Sequence, residues 1–308
     1  MTRGIITIAT GNKRYLEMAK NLAKSLTLNM PSVSKAVITD SIDHEFHSYY
    51  DFVIPVDKGK GNGIIQKLYI YDYSPFDETI FIDVDCLVVR EFNFLWTLFQ
   101  NEDVSVIGRK VFSGKIWGST IENFKAKLNI EYLLSFNGGV YYFKKNKIAE
   151  QVFNKAKTLV TSYDELGIDR HRGGINEEPL MSLAMGIFRM NSIDDERLGM
   201  YTPVNLKGTI NIDVLKGKCE FVKGDTLVSP AIMHFGGGYP EAFHYRRESR
   251  KIDLVYQFKL NRSFTSSLVN IIYNSLYVPY VFIYRLIKCL IKGEKMKLKP
   301  LIPTFRFE

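Results

Sequence analysis

Asp83 and Asp85 lie in the stretch Thr79–Arg90, TIFIDVDCLVVR, where Ile80, Phe81, Ile82 and Val84 form an apolar run. Such a run reads as a buried strand of a parallel sheet, and two carboxylates at its end cannot both be core. Residues at i and i+2 of a strand share a face, so the two acids are expected to project together from the strand's C-terminal end, where open α/β sheets bind ligands. Converging carboxylates repel each other unless a cation lies between them. Hard oxygen ligands suit Mg²⁺ or Mn²⁺, and a metal placed there would hold a phosphate.

The surrounding pattern supplies the elements that would position these acids. Gly4–Ala9 reads as a β-branched strand, Thr10–Arg14 as a polar turn, and Tyr15–Leu26 as an amphipathic helix with Leu16, Ala19, Leu22, Ala23 and Leu26 on one face. Lys35–Thr39 and Asp51–Val56 read as strands, and Ile64–Tyr73 as a helix ending before Pro75. This alternation predicts an α/β fold with a mostly parallel mixed sheet flanked by helices.

Downstream, Ser135–Phe143 (SFNGGVYYF) reads as a strand opened by Asn137, Gly138 and Gly139, where glycine marks a bend or a close approach of backbone to ligand. Ile148–Val160 and Glu177–Met185 read as helices, the second with Glu177, Glu178 and Pro179 in its first turn. Ala231–Gly238, AIMHFGGG, places His234 before three glycines. The plainer readings are strand-end capping for the acids, a turn role for Asn137, dipole stabilisation for the glutamates, and a core position for Tyr15.

The chain has 308 residues, 46% of them hydrophobic, enough for a sizeable core, and a net charge of +8. Much of the basic excess, Arg285, Lys288, Lys292, Lys295, Lys297 and Lys299, adjoins the apolar segment Phe264–Leu290. That juxtaposition favours an anionic membrane surface over nucleic acid. Asn270, Asn274, Ser275, Pro279 and Arg285 interrupt the segment, so it is expected to lie in the membrane interface as an amphipathic helical tail. A catalytic domain of residues 1–260 and a tail of residues 261–308 follow. Cys86, Cys219 and Cys289 have no disulfide or zinc spacing, and the opening apolar run is too short for a signal-peptide core, which suits the cytoplasmic face of a membrane.

The order of these motifs resembles the glycosyltransferases of the nucleotide-diphospho-sugar (GT-A) fold. The resemblance is strongest to the retaining family typified by glycogenin and the bacterial lipooligosaccharide galactosyltransferases, over roughly residues 4–245. It implies that Thr10, Asn12 and Tyr15 border a uracil base and that Lys67 contacts the nucleotide. It implies that Asp83, Val84 and Asp85 form the DxD motif, and that Asn137, Gly138 and Gly139 border the donor sugar. His234, within His-Phe-Gly-Gly and beside Gly237, matches the family's third metal ligand. Where the family has an Asp-Gln pair, this chain has Glu177-Glu178. Where the family has Lys-Pro-Trp after the histidine, it has Tyr239-Pro240 followed by Arg246 and Arg247, candidates for the diphosphate.

The implied activity is transfer of a hexosyl group from a nucleotide sugar of the UDP class to a glycan or lipid-linked acceptor, in bacterial-type surface polysaccharide synthesis, with Mn²⁺ or Mg²⁺ as cofactor. Asn137, Glu177 and Glu178 are the catalytic candidates, either glutamate serving as base or as oxocarbenium stabiliser. Two alternatives are a haloacid-dehalogenase-like phosphatase with Asp83 as nucleophile and Asp85 as acid and base, and a catalytically inactive nucleotide-binding protein at the membrane.

Overall fold

The structure is a computed structural model and describes residues 1–42, 44–171, 173–236 and 243–292. The first half runs β1 (Arg3–Ala9), α1 (Lys13–Asn29), β2 (Ser34–Thr39), β3 (Phe52–Pro55), α2 (Ile70–Tyr73), β4 (Glu78–Ile82), β5 (Cys86–Val88), α3 (Asn93–Phe99), β6 (Val104–Ser105), β7 (Gly108–Val111), β8 (Lys115–Ile116), β9 (Ser119–Thr120) and α4 (Ile121–Leu128). The second half continues with β10 (Leu133–Phe136), β11 (Val140–Lys144), α5 (Lys147–Leu159), α6 (Glu177–Ile187), β12 (Met200–Tyr201), β13 (Leu206–Asp213), β14 (Lys218–Lys223), β15 (Thr226–Val228), β16 (Ile232–His234), α7 (Phe243–Phe258), α8 (Arg262–Ile272) and α9 (Val278–Lys292).

The main sheet has the order β3-β2-β1-β4-β11-β6. Its first four strands are parallel, while β11 runs antiparallel to both β4 and β6. This is the mostly parallel mixed sheet expected from the alternating pattern. Every residue of β4 is buried, as a central strand covered on both faces requires. One apolar cluster, with Phe81, Tyr141, Phe143 and Phe153, fills the side under α5 and α6. On the other side Ile80, Ile82 and Tyr142 pack with Leu22, Leu26 and Phe99.

Three local expectations are corrected. Asp83 and Asp85 are not strand residues sharing a face: β4 ends at Ile82, and Asp83–Asp85 turn into β5, with the Cys86 N–H donating to the Asp83 carbonyl at 3.1 Å. Residues 135–143 form no single strand. Asn137 Oδ1 accepts the Gly139 N–H at 3.0 Å and turns the chain, so that β10 pairs with β7 while β11 pairs with β4. The expected helix over 64–73 is a 3₁₀ stretch, Gly63–Tyr69, followed by the one α turn of α2.

The segment after residue 260 begins as part of the body. The Arg262 guanidinium donates to the Leu28 carbonyl at 2.6 Å, Val269 is buried, and the Ser266 hydroxyl bonds Asp213. Asp213 is also 3.3 Å from Lys251 Nζ, which lies 3.0 Å from Glu248 within a fully buried ion network. Phe264, in the first turn of α8, is exposed; beyond Val269 the chain exposes Ile271 on α8, Leu276 in the turn between the helices, and Tyr280, Ile283, Tyr284, Leu290 and Ile291 on α9.

Candidate active site

The turn after β4 is held from two sides by strand register. Val140 of β11 is opposite Ile82, and the Asp83 N–H donates to the Gly139 carbonyl at 3.0 Å. On the other side β16 pairs antiparallel with β5, His234 opposite Cys86, and the Phe235 N–H donates to the Asp85 carbonyl at 2.9 Å. Two long-range pairings thus bring Asn137–Gly139, Asp83–Asp85 and His234 together at the C-terminal end of β4. Val84 points away from them into an apolar cluster.

His234 Nε2 lies 3.1 Å from Asp85 Oδ1 and 3.8 Å from Asp83 Oδ2. The Asp85 contact is at ion-pair distance, yet Oδ1 is buried and has no hydrogen-bond partner. Burial alone would raise the Asp85 pKa, but the charge of His234 beside it holds the carboxyl below its ordinary range. Burial and the nearby Asp85 charge raise Asp83, against the pull of Lys67. Burial would lower His234, and Asp85 reverses the shift so that the imidazole pKa is raised.

These residues fit a divalent cation. Two carboxylates and an imidazole converge in a buried place, a mixed oxygen and nitrogen donor set that such an ion takes. The Cys86 sulfur also lies within 4.8 Å of the Asp85 and His234 ligand atoms. Burial raises its thiol far above the usual range, and its side chain packs in the core with Leu22 and Ile80. Asp83, Asp85 and His234 are thus the candidate ligand set.

Lys67 is brought to the same place by the 3₁₀ stretch before α2. Its Nζ lies 2.7 Å from Asp83 Oδ2, 3.0 Å from Glu177 Oε1 and 3.1 Å from the Gly138 carbonyl. Desolvation opposes its charge, but Asp83 and Glu177 outweigh it and raise the ammonium's pKa. The Lys67 head is thus paired within the site. Glu177 is buried and engaged by this lysine, whereas Glu178 is partly exposed and receives the Gly138 N–H at 2.6 Å. Burial first, and the Glu177 charge second, push Glu178 up to about 7. Both glutamates are set by α6, whose Asn176 side chain caps the helix at Glu178 N. The Ser182 hydroxyl ties the same helix to β10 at the Leu134 carbonyl, 2.8 Å away.

The glycines are required by space. A Cβ on Gly138 would stand 2.8 Å from Glu177 Oε1, and one on Gly139 would stand 2.9 Å from His234 Nδ1. Both are closer than real Cβ contacts, so an added methyl would displace the Glu177 carboxylate at one position and the His234 ring at the other.

The remaining sequence candidates fall in three places. The loop Thr10–Asn12 follows β1, parallel neighbour of β4; Asn12 caps α1 by accepting the Arg14 N–H at 2.9 Å, and both Asp40 oxygens accept the Gly11 N–H. Tyr15 is 44% exposed, which rules out the core reading. Arg246 stands exposed on α7, its carbonyl receiving the Tyr273 hydroxyl. Arg247 is turned inward to Glu248 and the Ile212 carbonyl, so a phosphate role for its side chain is replaced by a structural one. Gly237 lies outside the described residues. One site neighbour escaped the sequence reading: Thr202 Oγ1 is 2.8 Å from His234 Nδ1.

No known protein-family model and no curated protein matches the sequence. Among solved structures, the galactosyltransferase LgtC in complex with donor and acceptor sugar analogs superposes with a TM-score of 0.51 at 16% identity, covering 76% of this chain and 87% of LgtC. An active-site mutant of LgtC gives 0.51 at 17% identity with the same coverage. The glycosyltransferase GlyE of Streptococcus pneumoniae gives 0.46 at 14% identity, over 66% of this chain and 48% of GlyE. In fold, then, the chain resembles the GT-A-type glycosyltransferases.

Proposed function

We propose that this chain is a divalent-metal-dependent glycosyltransferase that moves a hexosyl group from a nucleotide sugar of the UDP class to a glycan or lipid-linked acceptor in surface polysaccharide synthesis. The observation that carries the reading is the convergence of Asp83, Asp85 and His234, all turned to one buried place at the C-terminal end of β4. Mn²⁺ or Mg²⁺ held there would neutralise charge developing on a departing nucleoside diphosphate. Tyr15 and the Thr10–Asn12 loop are assigned to the base, and Lys67, bonded to Asp83 and beside Glu177, to steadying the first and neutralising the second. Glu178, bound to the turn bordering the donor sugar, is the carboxylate assigned to oxocarbenium stabilisation, with retention at the anomeric carbon.

The tail completes the proposal. No helix among the described residues is long and apolar enough to cross a membrane. The apolar side chains exposed on α8 and α9, with the basic residues that follow in sequence, suit adsorption to the inner, anionic face of a bilayer. Incubation of the full chain with Mn²⁺ and a panel of nucleotide sugars, measuring nucleoside diphosphate release, tests the enzyme reading. Release from a UDP-sugar that stops with EDTA is expected, and no release from any donor with either metal would overturn it.

A further inference from the structure

An imidazole binds a cation through whichever ring nitrogen lacks a proton, and the partner of the other nitrogen decides which one that is. In His234 the two nitrogens have unlike partners. Nε2 faces Asp85 and Asp83 at 3.1 and 3.8 Å, and Nδ1 faces Thr202 Oγ1 at 2.8 Å. The parallel pairing of β12 with β16 sets Met200 opposite Ile232 and Tyr201 opposite Met233, so the next residue along, Thr202, arrives beside His234. Both side chains are buried, and the absence of a Cβ at Gly139 leaves room for Nδ1 in that position.

The two sides compete for one proton. Carboxylates are the stronger acceptors, and without a partner at Nδ1 the neutral ring would place its proton on Nε2, between the acids, where no cation could then be bound. A hydroxyl at Nδ1 gives the proton a second acceptor. We infer that Thr202 is a positioning residue for the metal centre, accepting the Nδ1 proton of His234 and so presenting the bare Nε2 to a cation between Asp83 and Asp85. This rests on the metal reading proposed above.

The test is calorimetric titration of the full chain with Mn²⁺, in wild type, Thr202→Val and Thr202→Ser. Valine keeps the shape and removes the acceptor, and should weaken Mn²⁺ affinity roughly 10–100-fold. Serine should restore it. Affinity unchanged in Thr202→Val overturns the inference, as does equal loss in both variants with a matching fall in thermal stability, the mark of a purely structural role. A ¹⁵N spectrum of the His234 ring in the Mg²⁺-saturated wild type needs no variant to fold: a proton on Nδ1 is expected, and a proton on Nε2 overturns the assignment. Failure of the wild type to bind either metal would remove the metal reading itself, and the inference with it.

Discussion

Lys67 Nζ sits 2.7 Å from Asp83 Oδ2 and only 3.0 Å from Glu177 Oε1, so a single ammonium couples a candidate metal ligand to a carboxylate that is 2% exposed. Removing it would leave Glu177 charged, buried and unpaired. Lys67→Met should therefore cost about 3–5 kcal/mol of stability, the usual penalty for breaking a buried pair from one side. Chemical denaturation measures this, and adding Glu177→Gln to Lys67→Met should recover part of the loss.

The Glu178 carboxyl sets a pH dependence with two signs. Its pKa, raised to about 7 from an ordinary 4.5, means that the folded state holds the proton more tightly than the unfolded chain. Its contribution is present below pH 4.5 and is lost as pH rises towards 7, by up to about 3 kcal/mol. Glu178→Gln should flatten that slope in denaturation curves taken across this window. Turnover should run the other way, rising through about pH 7 as the anion forms, and the glutamine variant should lose that limb of the rate profile.

Gly139 is a steric requirement with a ligand as its neighbour. Gly139→Ala would put a Cβ 2.9 Å from His234 Nδ1 and 3.0 Å from Asn137 Oδ1, forcing the ring or the turn to shift. Mn²⁺ affinity should fall by at least about tenfold, as for other disturbances of a ligand's support, with thermal stability changing less in proportion.

On the proposed metal reading, Asp85 in the turn before β5 and His234 at the end of β16 hold the same cation. Asp85→Asn and His234→Ala should each abolish most metal-dependent donor hydrolysis, and combining them should add little, because one site is lost either way. Additive losses in a steady-state assay would show that the two residues serve different functions.

The outward faces of α8 and α9 can be tested without disturbing the clamp at Ser266. Ile283→Glu with Leu290→Glu changes two exposed positions, 53% and 72% accessible, and leaves buried Val269 in place. Co-sedimentation with vesicles containing anionic lipid should fall sharply for the double variant, while thermal stability should hold. Retention equal to wild type would remove the membrane assignment.

The acids were legible because charge inside an apolar run violates the pattern of a buried strand, and His234 because an aromatic and glycines after it leave little reason for a plain core histidine. The parallel part of the sheet followed from the alternation of strand and helix. Lys67 was reached through family resemblance, since a lysine in a helical stretch carries no local sign that its head is buried. Thr202 left no sign at all: its role depends on the register of β12 against β16, which residue types at positions 200–202 do not encode. The break at Asn137 was half legible, the glycines marking a bend without revealing that the two flanking strands join different sheets.

The pairing of β16 with β5 joins residues about 150 positions apart in the chain. Closing so long a loop is a slow entropic step, and contacts of this separation set the pace of folding. A chain emerging during synthesis carries both acids long before it carries the imidazole. On the proposed metal reading, tight cation uptake becomes possible only when β16 has docked on β5, which would make metal affinity a reporter of that pairing and leave partial chains with two acids alone.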